Sequence, residues 1–340
     1  MTPLAIGVIG AGAMGARHAT NLATLIPGAR VAGIYDLDGA RARAVAASCD
    51  ATAFDDPTAL IYDARVSAII VVSPDPTHAA FVQECLRADK PVLCEKPLAT
   101  TAAEALAIVE SERALGRRMV SVGFMRRFDP HHLAVRDAVA SGAIGRAVLF
   151  KGVHRNVGIA PDLPAATVIT NSSIHDLDSA RWLLGQEVRE VYVSGVRTRA
   201  TFSEGTRDML LFQLTLGGGC LATIETSVAV EYGYEVSAEI VGERGTAMTA
   251  QPDGALLRAS AHRGVFVPPS HLDRFQQAFV PELIDWVESI QRGRPFAGAS
   301  AWDGYMATLV AEACIESLQR GAPVSVPQPE RPALYASDRR

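Results

Sequence analysis

The sequence predicts an α/β protein of two domains. The first is a doubly wound parallel sheet, and the second is built on a largely antiparallel sheet. Three observations predict this. A glycine-rich turn, Gly10-Ala11-Gly12-Ala13-Met14-Gly15, joins an apolar run to a helical one near the start of the chain. Extended and helical patterns then alternate through residue 123. After residue 145 extended segments follow one another with few helices between them. At 340 residues the chain is long enough for two cores.

The turn carries the most information. Leu4-Ala5-Ile6-Gly7-Val8-Ile9 reads as a strand entering it, and Leu22, Leu25 and Ile26 give the segment leaving it a helical stripe. In a strand, turn, helix context Gly10 permits the tight bend. Gly12 lets main chain approach a pyrophosphate, and Gly15 lets helix pack on strand. Ala13 and Met14 open the helix, whose N-terminal N–H groups and positive dipole end suit phosphate. A second apolar run, Val31-Ala32-Gly33-Ile34-Tyr35, ends in Asp36. That is about 20 residues past the turn, where a carboxylate accepts from the ribose hydroxyls and repels a 2′-phosphate. The expected cofactor is NAD. NADP is less favoured because no arginine directly follows Asp36, although Arg41 and Arg43 lie nearby.

The rest of the first domain follows the same rhythm. A helix is expected over 38–48, a strand over 51–54, and a strand buried on both faces over 67–72. A helix over 77–88 has Thr77 as its N-cap candidate. Then come a strand over 91–94, a helix over 100–115 and a strand over 119–123. In such sheets ligands gather beyond the carboxyl ends of the strands. Ser73-Pro74-Asp75-Pro76-Thr77-His78 follows one strand, its prolines fixing a loop that would pass under the cofactor. Ser73, Pro74 and His78 are therefore candidate cofactor contacts, while His78 equally suits packing in a first helical turn. Glu95-Lys96-Pro97 follows the next strand, and a Lys held before Pro can project its ammonium into the crevice. Glu95 and Lys96 join the cofactor set. Arg126 and Arg127, between Phe124 and Phe128, read either as a solvated turn or as contacts to a polar substrate or the cofactor.

Beyond a helix over 132–141 the second domain shows extended segments over 147–153, 187–199, 207–216, 220–230, 234–241 and 246–250. Leu216-Gly217-Gly218-Gly219-Cys220 has hairpin composition. One helix interrupts the strands, with Ser172 and Ser173 as N-cap candidates, an apolar stripe of Ile174, Leu177, Ala180 and Leu184, and Gly185 as its stop. Asn171 precedes that helix and His175 sits in its first turn. Helices over 281–292 and 303–320 close the fold. The expected division is a dinucleotide-binding domain over 1–123, a substrate-binding domain over 124–327 and a loosely held tail over 328–340.

Bulk properties exclude several classes. Net charge is −5 with no basic run, so a nucleic-acid partner is not expected. The first residues lack a charged n-region and a long h-region, and no apolar run would span a bilayer, so a cytoplasmic location is expected and no membrane partner. Cys49, Cys85, Cys94, Cys220 and Cys314 show no CxxC spacing and read as free thiols in a reducing compartment. No His/Cys cluster has ligand spacing, so no metal is expected.

Taken together, the glycine turn, the Ser73 to His78 loop, Glu95-Lys96-Pro97 and the helix bearing His175 resemble the Gfo/Idh/MocA family of NAD(P)-dependent sugar and polyol oxidoreductases. The resemblance covers roughly residues 4 to 325. Gly123-Phe124-Met125-Arg126-Arg127-Phe128-Asp129, Tyr232-Gly233-Tyr234-Glu235-Val236 and Glu239-Ile240-Val241-Gly242-Glu243 resemble its inositol-oxidising members. The resemblance implies a Rossmann domain followed by an open-faced sheet, whose outer face commonly joins subunits into a dimer or tetramer. It implies that Lys96 and His175 are catalytic and that Lys96-Pro97 is a cis peptide bond. It places Arg126, His154, Asn171 and Tyr234 with Lys96 and His175 around the substrate. The family pattern is usually Asp-x-x-x-His, and here Asn171 stands at the Asp position. An amide can orient an imidazole but brings no charge. Phe279 stands where relatives often have Tyr. The implied reaction is oxidation of a secondary alcohol of a cyclic polyol by NAD, with a neutral His175 as base and Lys96 stabilising charge on the oxygen. The alternatives are a monosaccharide dehydrogenase, acting on an aldose or a sugar 3-hydroxyl, and an NAD-dependent glycosidase.

Overall fold

A computed structural model describes residues 2–250, 256–259 and 262–339. Contacts divide the chain into two compact units. One comprises Met1–Met125, Ala278–Thr308 and Glu330–Arg340; the other comprises Arg126–Gln277 and Leu309–Pro329.

The first unit holds strands β1 (Leu4–Ile9), β2 (Ala29–Tyr35), β3 (Thr52–Phe54), β4 (Ala68–Val71), β5 (Val92–Glu95) and β6 (Val120–Gly123). They lie in the order β3-β2-β1-β4-β5-β6, all parallel, with the short strand Ala299–Ser300 added antiparallel beside β6. The order reverses direction between β1 and β4, and ligands bind at such a switch point beyond the strand ends. The strands are apolar on both faces because helices cover them. Leu22, Ala42 and Ala46, with Leu283, Trp286 and Val287 of helix Gln276–Arg292, form one core with Ile6, Val8 and Ile34. That helix was expected to begin at Pro281; it starts five residues earlier and carries Pro281 within it.

Helix starts in this unit are capped by short polar side chains. Asp38 accepts from Ala40 and Arg41 N–H, and Asp56 from Thr58 and Ala59. Thr101 and Glu104 form a reciprocal capping box. Thr77 does not cap, contrary to expectation. A 3₁₀ turn, Asp75–Thr77, already leads into the helix, and the Thr77 hydroxyl donates back to the Pro74 carbonyl at 2.7 Å.

The tail is also better held than its composition suggested. Tyr335 is fully buried and stacks on Trp302, and its hydroxyl donates to Glu112 at 2.5 Å. Glu112 in turn accepts from the N–H groups of Met119 and Val120, where β6 begins. One buried aromatic with a satisfied hydroxyl outweighs a proline-rich, charged surrounding.

The second unit holds β7 (Ala147–Arg155), β8 (Val188–Val196), β9 (Met209–Leu216), β10 (Leu221–Ser227), β11 (Glu235–Gly242) and β12 (Thr246–Met248). Their order is β12-β11-β7-β10-β9-β8, with Val324–Ser325 at the β8 edge. Only β7 and β10 pair in parallel. β9 and β10 form the expected glycine hairpin, with Gly219 at φ +76°. Burial alternates along the strands. Leu210, Phe212, Leu214 and Leu216 are buried against Leu177, Ala180 and Leu184 from one helix and Val310 and Cys314 from another. Leu211, Gln213 and Leu221 lie on the exposed side, so one face of the sheet is open.

The helix bearing His175 differs from expectation in a way that matters for the site. A helical turn, Ala165–Val168, runs through a π-turn, Ile169–Ser173, into helix Ile174–Leu184. Ser173 therefore does not cap; its hydroxyl donates to Thr226 Oγ1 at 2.9 Å. His175 lies inside a continuous helical run rather than at an open N-terminus, so no exposed dipole end bears on its ring. Single π-turns of this kind are frequent at functional sites. Gly185 ends the helix in the left-handed conformation, φ +62°.

Candidate active site

In the first unit the three glycines of the turn differ in what they make possible. Gly10 has φ +106°, and a Cβ there would sit 2.5 Å from the Val72 carbonyl oxygen. A Cβ on Gly15 would sit 2.0 Å from the Gly10 carbonyl oxygen. Both are required by the fold itself. A Cβ on Gly12 would meet nothing within 4 Å. That open space lies over the start of helix Ala13–Thr24, which has neither a side-chain cap nor an acidic residue in its first turn. The chemistry is that of an anion cradle.

Asp36 stands at the end of β2. Its Oδ2 accepts from Ala11 N–H at 2.7 Å and its Oδ1 from Asp38 N–H at 2.8 Å, so it is fixed against the turn. A carboxylate retains further lone pairs for ribose hydroxyls. Arg41 lies 3.3 Å from the same carboxylate, which neutralises it as a clamp for a 2′-phosphate. The residues present fit a dinucleotide without that phosphate. Gly10, Gly12, Ala13, Met14, Gly15 and Asp36 would hold it.

The ends of β4 and β5 are tied together. His78 is buried, with Nδ1 at 2.7 Å from the Pro97 carbonyl and Nε2 at 2.8 Å from the Ser73 carbonyl. Its ring thus braces the Ser73-Pro74 loop against the Lys96-Pro97 segment. The Ser73 hydroxyl pairs with that of Thr77 at 2.6 Å. The Lys96-Pro97 bond is cis, as the resemblance implied. Glu95 lies 2.8 Å from Nε2 of buried His18. Burial pushes the Glu95 carboxyl up, but His18 and Lys96 outweigh it and leave the group below its ordinary value. Neither His18 nor Glu282 was singled out from sequence. Glu282 is wholly buried, neither of its carboxylate oxygens has a hydrogen-bond partner among the described residues, and burial holds its carboxyl well above the usual range. Phe279, one turn earlier, packs edge-on against His18.

In the second unit Arg126, His154 and Tyr234 come together around a residue that sequence reasoning missed, Asp176. A 3₁₀ turn, Met125–Phe128, places both arginines. Arg126 Nη1 donates to Asp176 Oδ1 at 2.6 Å, and Arg127 Nη2 donates to Asp178 Oδ1 at 2.6 Å. All four side chains are buried, which rules out the solvated-turn reading. His154 Nδ1 lies 2.9 Å from Asp176 Oδ2, and Tyr234 Oη lies 3.2 Å from His154 Nε2. Burial raises the Asp176 carboxyl but Arg126 and His154 dominate, and it falls to about 2. Burial pushes the Tyr234 phenol up to about 12. The signal for Asp176 was present as a polar residue directly after His175 within an apolar helix.

His175 itself is buried, its ring centroid 6.4 Å from that of His154. Asn171 lies exposed on the π-turn, and its neighbour Ser172 accepts from Asn156 Nδ2 at 3.1 Å. In the same unit, Asp129 joins Arg274 at 2.9 Å and His132 at 2.5 Å.

Comparison with known proteins places the chain in one family. Residues 4–124 match the family described as "Oxidoreductase family, NAD-binding Rossmann fold", and residues 132–248 match the GFO/IDH/MocA C-terminal domain. An inositol 2-dehydrogenase of Rubrobacter xylanophilus is 49% identical over 98% of this chain and 96% of its own. The chain belongs to the Gfo/Idh/MocA oxidoreductase family. Among solved Gfo/Idh/MocA structures, the myo-inositol dehydrogenase of Lactobacillus casei in complex with NAD(H) and myo-inositol superposes with a TM-score of 0.94. It shares 33% identity and covers 98% of this chain and 100% of its own. The scyllo-inositol dehydrogenase of the same organism, with NAD(H) and scyllo-inositol, gives a TM-score of 0.87 at 25% identity, covering 95% of this chain and 99% of its own.

The glycine geometry separates binding from folding. Gly12→Ala should leave the melting temperature within about 2 °C of wild type but weaken NAD at least about tenfold, because the new methyl fills the cradle and touches nothing in the protein. Gly15→Ala should instead lower the melting temperature by several degrees, because its Cβ meets a carbonyl. Thermal denaturation and NAD titration by fluorescence, run on both variants, check this. Equal losses of melting temperature would contradict it.

Proposed function

We propose that this protein is an NAD-dependent dehydrogenase that oxidises a secondary hydroxyl of a cyclic polyol of the inositol class to the ketone. One observation carries the reading. A single chain holds a glycine cradle left open at Gly12 and, separately, a hydrogen-bonded cluster of Arg126, Asp176, His154 and Tyr234 beside His175. The full-length likeness to inositol dehydrogenases supports it.

Held by the glycine turn at residues 10–15 and by Asp36, NAD would supply the acceptor for the carbinol hydride. His175 takes the hydroxyl proton, since a neutral imidazole is a competent base near neutral pH. Lys96 sets an ammonium against the negative charge that develops on the oxygen. Asn171 orients by hydrogen bonding and adds no charge. Arg126, His154, Asn171 and Tyr234 bind the hydroxyls that do not react. A wall of fixed polar groups discriminates among stereoisomers because an unmatched hydroxyl leaves a buried group unpaired. The described residues include no helix long and apolar enough to cross a membrane, and the five cysteines are free, which suits a reducing cytoplasm.

A screen of myo-inositol, scyllo-inositol, glucose and related sugars, each with NAD and NADP, tests the function by absorbance of the reduced cofactor. Steady NADH formation is expected with an inositol and NAD. Higher kcat/KM on a monosaccharide would move the assignment to a sugar dehydrogenase, and cleavage of a glycoside without net NADH would move it to a glycosidase.

The two proposed catalytic groups are tested directly. Lys96→Ala and His175→Ala should each lower kcat by roughly two to four orders of magnitude while NAD affinity stays within about threefold. Near wild-type turnover in either variant removes that residue from the mechanism.

We further propose that a second copy of the chain covers the open face of the second sheet. Leu211 and Leu221 are about half exposed there, at 45% and 53%, on a face of otherwise mixed polarity. Light scattering after size exclusion should show a homo-oligomer for the wild type. Leu211→Asp with Leu221→Asp should shift it toward monomer. A wild-type monomer at micromolar concentration would refute the assignment.

A further inference from the structure

We propose that Asp176 is a positioning residue that locks His154 as the neutral Nδ1–H tautomer, and so fixes the direction of the hydrogen bond between His154 and Tyr234. The inference deepens the polyol reading above and rests on it for its effect on substrate, but not for the tautomer itself.

The geometry sets up a choice. His154 Nδ1 lies 2.9 Å from Asp176 Oδ2 and 3.1 Å from Arg126 Nη2. A guanidinium can only donate. Nδ1 must therefore either accept from Arg126 or donate to Asp176, and it cannot do both. If Nδ1 were bare, its lone pair would face a carboxylate oxygen at hydrogen-bond distance in a buried site, and that oxygen would keep only a long contact of 3.4 Å to Arg126 Nη2. If Nδ1 carries the proton, the bond is charge-assisted, and Arg126 keeps its 2.6 Å bond to Oδ1. The second arrangement satisfies more groups. One carboxylate then serves one guanidinium and one neutral ring, so the buried charges cancel. A second positive charge on His154 would stand 3.1 Å from the Arg126 guanidinium.

The consequence passes to the other ring nitrogen. With Nδ1 protonated, Nε2 accepts, and the Tyr234 hydroxyl at 3.2 Å must donate to it. The phenol stays protonated because burial pushes it up to about 12. The Tyr234 proton is thereby committed within the protein. The Arg126 guanidinium also donates to the Tyr234 oxygen, so toward a ligand this corner offers the remaining lone pair and not a donor. It selects a hydroxyl that can give its own hydrogen.

Asp176→Asn is the informative change because it should invert the chain of bonds rather than break it. The amide oxygen would turn toward Arg126, since two donors cannot face each other. The amide NH₂ would then face His154 and donate to Nδ1. Nε2 becomes the protonated nitrogen, and the Tyr234 proton is turned outward.

The experiment is a long-range ¹H–¹⁵N correlation on the full chain labelled at histidine, with the His154 signals assigned by their loss in His154→Gln, alongside steady-state kinetics with myo-inositol. Wild type is expected to show His154 protonated at Nδ1 and bare at Nε2. Asp176→Asn is expected to show the reverse pattern. It should also raise KM for myo-inositol by roughly tenfold or more, with NAD affinity within about threefold. Tyr234→Phe should raise that KM in the wild-type background and add little in the Asp176→Asn background. A wild-type ring protonated at Nε2, or at both nitrogens, overturns the proposal, and this measurement stands even if Asp176→Asn fails to fold. An inverted tautomer with unchanged KM, while Tyr234→Phe still raises it, also overturns the claimed effect on substrate. An unchanged KM in Tyr234→Phe itself would overturn the polyol reading of this corner, and the spectrum would still decide the role of Asp176.

Discussion

Helix Ala13–Thr24 can lie on β1 only because position 15 has no side chain. A Cβ there would stand 2.0 Å from the Gly10 carbonyl oxygen, well inside van der Waals contact. Much of the first unit follows from that approach. It brings the helix N-terminus to the carboxyl end of the central strand, where the strand order reverses. It sets Ala11 N–H within 2.7 Å of Asp36, so the acidic residue of the second strand is aimed by the turn itself. Close packing at one glycine thus sets helix-end donors and a fixed carboxylate side by side, the two features the proposed dinucleotide site needs.

The second unit is organised by charge cancellation. Arg126 with Asp176, Arg127 with Asp178, and Arg274 with Asp129 are all buried pairs. Such pairs add little net stability over apolar packing, because desolvation offsets most of their attraction. Breaking one by removing a single partner costs about 3–5 kcal/mol, since the other charge is left unpaired in a dry site. They therefore specify geometry more than they stabilise it. Each guanidinium offers a planar fork to a carboxylate, and the partner fixes where that plane lies. Glu282 in the first unit is the contrasting case. A buried acid with no donor in reach resolves its desolvation cost by keeping its proton.

What could be read without coordinates divides along the same line. The glycine turn, the parallel alternation, the glycine hairpin and the stop at Gly185 are local, encoded by residues within a few positions of one another. The pairing of Arg126 with Asp176 spans fifty residues, and nothing in the spacing of either announces the other. Thr77 and Ser173 had the right residue type for caps but the wrong backbone, because a 3₁₀ turn and a π-turn had already started the helix. Tyr335 was hidden in a tail whose prolines and charges suggested looseness. A buried hydroxyl is legible only once its acceptor, Glu112, is placed. His154, Asn171 and Tyr234 came from the resemblance and Arg126 also from its place after β6, and the geometry then separated them: Arg126 and His154 bond Asp176, Tyr234 joins through His154, and Asn171 lies on an exposed turn.

The replacement of the family's usual Asp by Asn171 bears on how this site divides its work. A carboxylate at that position could hold a positive imidazole; an amide cannot. Here the Asp176 carboxylate sits on His154 instead and is already balanced by Arg126. Arg126 and His154 hold Asp176 down at about 2 and burial pushes Tyr234 up to about 12, both far from neutral pH. A cluster built from such groups keeps one pattern of donors and acceptors across the working range, which is what the proposed recognition of several hydroxyls would require. Proton transfer needs the opposite property, a group whose charge changes near neutrality. On the mechanism proposed above, the frozen cluster of Arg126, Asp176, His154 and Tyr234 is separate from the proposed base His175, so a proton leaving the substrate would not disturb that cluster's bonds.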